Sequence, residues 1–199
     1  MKKKFLVAII LSAFLVSCGV YNSLMNISRL KFKLDSVSNF KLSGIPVNNK
    51  SSLKDFNALD LVKLSSQITS GSLPVTFILN VDAKNPNGNS TGNPADITLE
   101  KFPWKLFIDN KETISGNILK PVKVPAAGGT SVIPLNVNFD LVKVFGNLGI
   151  EKIINMALKL GGQKSSTSHI KIIADPVLGT PLGNMKYPSS ITIIDKEFH

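Results

Sequence analysis

Pro74-Val75-Thr76-Phe77-Ile78-Leu79-Asn80-Val81-Asp82-Ala83-Lys84 is the stretch that decides the fold. Val75, Phe77, Leu79, Val81 and Ala83 fall on one face; Thr76, Asn80, Asp82 and Lys84 fall on the other. Successive side chains of a strand point to opposite faces, so this period of two describes a strand with one buried side. The alternation spreads outward in both directions. Upstream, Leu30, Phe32 and Leu34 alternate with Lys31, Lys33 and Asp35. A second short strand is expected from Phe40 through Leu42 to Ile45, ended by Pro46. Downstream, 97–109 carries Trp104, Leu106 and Ile108 in phase, and Asp109-Asn110-Lys111 turns it into a hairpin partner over 113–118. Val122 and Val124 make a short strand closed by Pro125, and Ala126-Ala127-Gly128-Gly129 turns the chain towards Ile133, Leu135, Val137 and Phe139. Pro134 has no N–H to give to a ladder, which predicts an edge or a bulge there. Late strands are expected over 169–174 and 190–194.

Two segments break the pattern. Residues 52–68 read as a helix, with Ser52-x-x-Asp55 as its capping box and Leu53, Phe56, Leu61, Leu64 and Ile68 on one broad face. Residues 141–160 read as a second helix, bent or broken near Gly146 and Gly149. Its later half places Ile150, Ile153, Ile154, Ala157 and Leu158 on one side, and Gly161-Gly162 stops it. That helix reads as a cap on the open end of a sandwich, with a lid over an apolar cavity or a membrane-surface helix as alternatives. The expectation is a mainly β chain, a β-sandwich of about eight short strands with two helical insertions.

The N-terminus has its own logic. Lys2, Lys3 and Lys4 precede an apolar run from Phe5 to Val16, and Leu15-Val16-Ser17-Cys18 resembles a bacterial lipobox. About a dozen apolar residues are too few for the ~20 that span a bilayer. The resemblance implies a signal peptide over 1–17, lipid on Cys18, a short tether over 18–26 and one domain over 27–199. It further implies a bacterial envelope lipoprotein held to a membrane; Gly19 and Val20 carry no acidic sorting residue, and the outer membrane facing the periplasm is expected. Cys18 is the single cysteine, so neither a disulfide nor a thiolate metal site can form. The chain carries 23 Lys+Arg against 13 Asp+Glu, a net +10, and without Lys2, Lys3 and Lys4 the excess is +7. These charges are dispersed and include one arginine, Arg29, although arginine is the preferred reader of guanine edges and a strong phosphate clamp. Nucleic acid is therefore not the expected partner.

Val81-Asp82-Ala83-Lys84-Asn85-Pro86-Asn87 ends a strand in Asn-Pro-Asn. It is followed by Trp104-Lys105-Leu106-Phe107-Ile108-Asp109, then Ile114-Ser115-Gly116, then Val124-Pro125-Ala126-Ala127-Gly128. This order, over about 74–140, resembles the late-embryogenesis-abundant type 2 family, the water-stress and hypersensitive-response (WHy) domain. Asp175-Pro176 and Leu182–Pro188 resemble bacterial lipoproteins that carry it. The resemblance implies an immunoglobulin/fibronectin-III-like sandwich, no catalytic activity, and links to desiccation, stress and membranes or lipids. The two helical insertions lie outside the minimal domain. Physically, Pro86 fixes φ and removes a donor, so Asn85, Pro86 and Asn87 read first as a strand terminator.

Chemistry is sparse. The histidines are His169 and the terminal His199, and no nucleophile elbow accompanies His169. Asp60, Asp82, Asp140 and Asp175 show no paired spacing. Asn85, Asn87, Asn89 and Asp96 mimic positions 1, 3, 5 and 12 of a twelve-residue calcium loop, but Ser90 stands where glycine is needed and one ligand alone is charged. Gly128-Gly129 precedes a strand, not a helix, so no phosphate site is expected. Neither a metal nor a cofactor is expected. The reading is a non-enzymatic binding or protective envelope module, its partners a membrane through Cys18 and an envelope protein or apolar ligand. A carrier of lipid in an apolar cavity is the alternative, and a hydrolase the second.

Overall fold

The computed structural model describes residues 30–47, 49–50, 52–86, 96–126, 128–160, 169–180 and 183–197. Cys18, the signal and tether segments, Asn87 and Asn89 lie outside them. Among the described residues, twelve strands form three antiparallel sheets. The first has the order β2 (Ile45–Pro46), β1 (Lys31–Leu42), β3 (Pro74–Lys84), β8 (Thr130–Asp140). The second runs β11 (Gly183–Lys186), β10 (Val177–Thr180), β4 (Ile97–Lys101), β7 (Val122–Val124). The third runs β12 (Ile191–Glu197), β9 (His169–Ala174), β5 (Trp104–Ile108), β6 (Lys111–Gly116). This is mainly β, a coarser statement than the immunoglobulin or fibronectin-III sandwich that the resemblance implies.

The strand count exceeds the expected eight because single runs are interrupted. The expected strand over 97–109 is cut at Phe102-Pro103 into β4 and β5, and Asp175-Pro176 cuts β9 from β10 in the same way. Proline cannot donate to a ladder, so each interruption lets the chain change sheets. Asp175 N–H donates to the Pro103 carbonyl (2.9 Å) and Tyr187 N–H to the Pro176 carbonyl (2.8 Å), which ties the second and third sheets together across these breaks. β10 and β11 were not expected; their glycines and prolines hide the alternation. The two strands expected over 30–45 are one, β1, with register shifts between Leu34 and Ser36 and between Ser38 and Lys41, and Ile45–Pro46 is its short hairpin return.

β8 pairs with β3 without a break from Pro74↔Asp140 to Lys84↔Thr130 and forms the edge of its sheet, with Pro134 opposite Asn80. The first sheet closes on the others through contacts of β8 with β6 and β7 and of β1 with β12. Between them lies one apolar core. The inward residues of β3 and β8, from Val75 and Phe139 to Val81 and Ile133, meet Leu99, Trp104, Leu106, Ile172 and Leu178 from the facing sheets. Phe40 stacks on Phe77 at 5.0 Å.

The helices sit at the end where β1 finishes and β3 begins. A 3-10 turn covers Leu53–Asp55, and α1 spans Ala58–Thr69. The capping box expected to start the helix belongs to that turn: the Asp55 carboxylate accepts from Ser52 N–H (2.9 Å). The α-helix starts later because Asn57 caps it, its side chain accepting from Asp60 N–H at 2.7 Å. Only Leu64 of α1 is fully buried; Leu59 (82 % exposed) and Val62 (67 %) face outward. The second helical stretch breaks as expected: α2 spans Leu141–Phe145, a 3-10 turn Gly146–Leu148, Gly149 takes φ +76°, and α3 spans Ile150–Leu160. Ile153, Ile154, Met156, Ala157 and Leu158 are buried, so the apolar face of α3 belongs to the core.

Candidate functional site

Strand direction brings the Asn85-Pro86 exit of β3 and the Val124–Gly129 turn to one end of the molecule, whereas the Asp109-Asn110 turn lies at the other, where Lys111 Nζ donates to the Val144 carbonyl (2.7 Å). β3 leaves the sheet at Lys84 opposite Lys31 of β1, so Leu30 and Asn85 lie at the same end. Asn85 is fully buried. Its N–H donates to the Gly129 carbonyl (3.1 Å) and its carbonyl accepts from Gly128 N–H (2.8 Å), so the Asn85-Pro86 exit is bonded to the Val124–Gly129 turn. Asp96 clamps the same turn: its carboxylate accepts from Ala126 N–H (2.9 Å) and pairs with Lys123 (2.7 Å). The lysine and then the amide hold the Asp96 carboxyl below its usual range. Asp96, the one charged ligand of the calcium-loop pattern, is thus committed to a lysine.

The chain enters β1 at this end. Tyr187 Oη donates to the Leu30 carbonyl (3.1 Å), and its ring meets Phe32 edge-on at 6.1 Å between centroids. Burial pushes the Tyr187 hydroxyl above its ordinary value, so it keeps the proton it donates. Tyr187→Phe removes one neutral hydrogen bond and keeps the ring; denaturant unfolding is expected to show a loss of about 1 kcal/mol. A change below the ~0.3 kcal/mol noise of such measurements would show that the bond does not hold the entry strand.

The glycine of the Ile114-Ser115-Gly116 segment has a steric role. Gly116 lies opposite Trp104, and a Cβ there would fall 2.5 Å from Trp104 Cζ2 and 2.8 Å from Cε2. The indole therefore covers the backbone of Gly116. Trp104 is 2 % exposed, and its Nε1 has no hydrogen-bond partner among the described residues.

At the opposite end, Asp140 joins three pieces of chain. Its carboxylate accepts from Ser72 Oγ (2.6 Å), Leu73 N–H (3.0 Å), Val142 N–H (3.0 Å) and Lys143 N–H (3.2 Å). It caps α2 and fixes the connection from α1 into β3. Burial raises its pKa, but the hydrogen bonds led by Ser72 outweigh that, and the group titrates below its usual value. Asp175 accepts from Ser190 Oγ, and Asp60 pairs with Lys50 at 3.7 Å. His169 opens β9 opposite Glu197 of β12. Among the described residues no three His, Cys, Asp or Glu side chains group to hold a metal, and no helix is long and apolar enough to cross a membrane.

The described cleft is on the outside of the first sheet. It encloses about 420 Å³, and Asn39, Lys41, Thr76, Ile78, Asn136 and Asn138 line it. It is open, of mixed polar and apolar lining, and lies on the outer face of a sheet, not in an apolar space between layers such as a lipid carrier requires. Sequence reading missed it. Asn136 and Asn138 are visible as outward residues of β8, but Asn39 takes φ +53° beside the β1 register shift, and only that bulge turns it towards the cleft.

No family model matches the chain, and no curated protein matches it. Solved structures resemble it loosely, among them the following three. A late embryogenesis abundant (LEA) protein aligns at 17% identity and TM-score 0.40, over 96% of this chain and 86% of that one. A protein from Archaeoglobus fulgidus aligns at 10% identity and TM-score 0.36, over 82% and 98%. A protein from Arabidopsis thaliana aligns at 14% identity and TM-score 0.39, over 63% and 75%. Likeness at this level assigns neither family nor activity, and none of the three comparisons indicates a catalytic family.

Proposed function

We propose that this chain is a lipid-anchored envelope protein whose β-domain, of the type 2 late-embryogenesis-abundant kind, acts as a non-enzymatic binding or protective module. The observation that carries the reading is the mutual bonding of the resemblance-bearing segments. Asn85 is paired with Gly128 and Gly129, and Gly116 is covered by Trp104, so residues scattered through the sequence become working contacts of one fold. The lipobox-like Leu15-Val16-Ser17-Cys18 supplies the anchor. From Cys18 to Leu30 the chain reaches at most ~40 Å, so an anchor on Cys18 keeps the domain close to the bilayer.

The test is Cys18→Ser in a Gram-negative host fed a labelled fatty acid. The parent is expected in the membrane fraction carrying label, and the variant label-free and released from the membrane. Survival of drying is expected to rise with the parent and not with the variant at equal abundance. A parent that takes no label sinks the anchor, and a parent that gives no survival gain sinks the protective role.

A further inference from the structure

The geometry points to the cleft on the outer face of β1, β3 and β8 as a binding site for an acidic oligosaccharide. The inference does not depend on the anchor or on the protective role. Register places Lys41, Thr76 and Asn138 in one cross-strand row. The next row has Ile78 opposite both Ser38 and Asn136, with Asn39 beside it. The floor is therefore Thr76 and Ile78, both half-buried, between a wall of Asn39 and Lys41 and a wall of Asn136 and Asn138. The volume, about 420 Å³, is in the range of small-ligand sites.

The polar groups of this cleft are uncommitted. No hydrogen bond or ion pair among the described residues engages the side chains of Asn39, Lys41, Thr76, Asn136 or Asn138. One row further along, Asn80 shows the contrast: its Nδ2 donates to Ser36 Oγ (3.0 Å) and Ser38 Oγ (3.1 Å), so it is tied into the sheet. An amide offers donors and an acceptor side by side, which matches neighbouring hydroxyls of a sugar ring. Ile78 gives the apolar C–H face of such a ring something to cover. Lys41 is the one charged group in the lining and faces a carboxylate on the sugar. Asn39 takes φ +53°, a left-handed conformation that asparagine tolerates, and with the adjacent register shift this aims its side chain into the cleft.

The full-length chain in detergent, with 15N in its asparagine amides, is titrated with tetragalacturonate and with maltotetraose. Saturable shifts confined to the amides of Asn39, Asn136 and Asn138 are expected with tetragalacturonate, with Kd about 1 mM, as suits an open site with few bonds. Maltotetraose is expected to bind about tenfold more weakly for want of the charge. Asn136→Ala with Asn138→Ala weakens both about tenfold, and Lys41→Gln brings tetragalacturonate down to the maltotetraose level. All three positions are exposed, and Trp104 fluorescence checks that the variants are folded. Absence of saturable shifts with both sugars, equal affinity for the two, or unchanged binding by the double variant overturns the proposal. So does inorganic phosphate that matches tetragalacturonate, which would mark a bare lysine.

Discussion

Gly116→Val is expected to destabilise the domain by about 3 kcal/mol or more, the upper end of what overpacking a core costs. For a domain of this size that is roughly 10 °C in Tm. The new side chain would start 2.5 Å from a carbon of the Trp104 ring, and the ring is enclosed, so one of the two must leave its place. The backbone of Gly116 is not in the left-handed region, so the penalty is one of volume alone. Gly71 is the control: its φ is +76° but nothing lies within 4 Å of a Cβ there, and Gly71→Ala is expected to cost only about 1 kcal/mol of backbone strain. Trp104 is the sole tryptophan, so its emission reports the displacement directly. Combining Gly116→Ala with Trp104→Leu should cost less than the sum of the single changes, because the smaller side chain vacates the space. Additive costs, or a Gly116→Val variant as stable as the parent, would show that the indole does not lie on this backbone.

Asp140→Ala is expected to cost about 2–3 kcal/mol at neutral pH, combining a lost helix cap with hydrogen bonds to a charged acceptor. Two of its donors are backbone N–H groups of α2, one is that of Leu73, and all lose their partner at once. The pH dependence follows from the direction of the shift. The folded carboxyl titrates below its unfolded value, so its stabilisation is fully present above the ordinary carboxylate range and is lost as pH falls through the folded value. Parent and variant should therefore converge in acid, with the variant showing the flatter acid limb. Asp96→Asn should also flatten that limb, but by less and in a salt-dependent way, because Asp96 is exposed and acts through Lys123. A constant gap between parent and Asp140→Ala from neutral pH into acid would show that the carboxylate's charge contributes nothing.

Much of this architecture was legible in the sequence, and the misses have identifiable causes. β3 and β8 were readable because each has one face in the core and one in water, which leaves a period of two. The Asp109-Asn110 turn was readable because these residues tolerate the left-handed region, and both occupy it at φ +51° and +64°. β10 and β11 were not, since Gly179, Gly183 and the prolines around them carry no alternation. α1 was placed too early because a capping box fits a 3-10 turn as well as an α-helix.

The sequence by itself determined the mainly β class, the restriction of the proline-bearing β8 to an edge or a bulge, an interruption near Gly146 and Gly149, and the apolar faces that make the core. These follow from backbone chemistry and periodicity, which are local. Only the tertiary structure decided what meets what. A hairpin in uniform register from the Asp109-Asn110 turn would set Trp104 against Ser115; the register shift after Leu106 sets it against Gly116 instead. Asp140 finds Ser72 and Leu73 across 67 or more residues, and Asn39 reaches the wall opposite Asn136 through a bulge. Such contacts depend on where bulges fall and which strands become neighbours. Those choices are settled by how the whole core packs, so no single stretch of the chain records them.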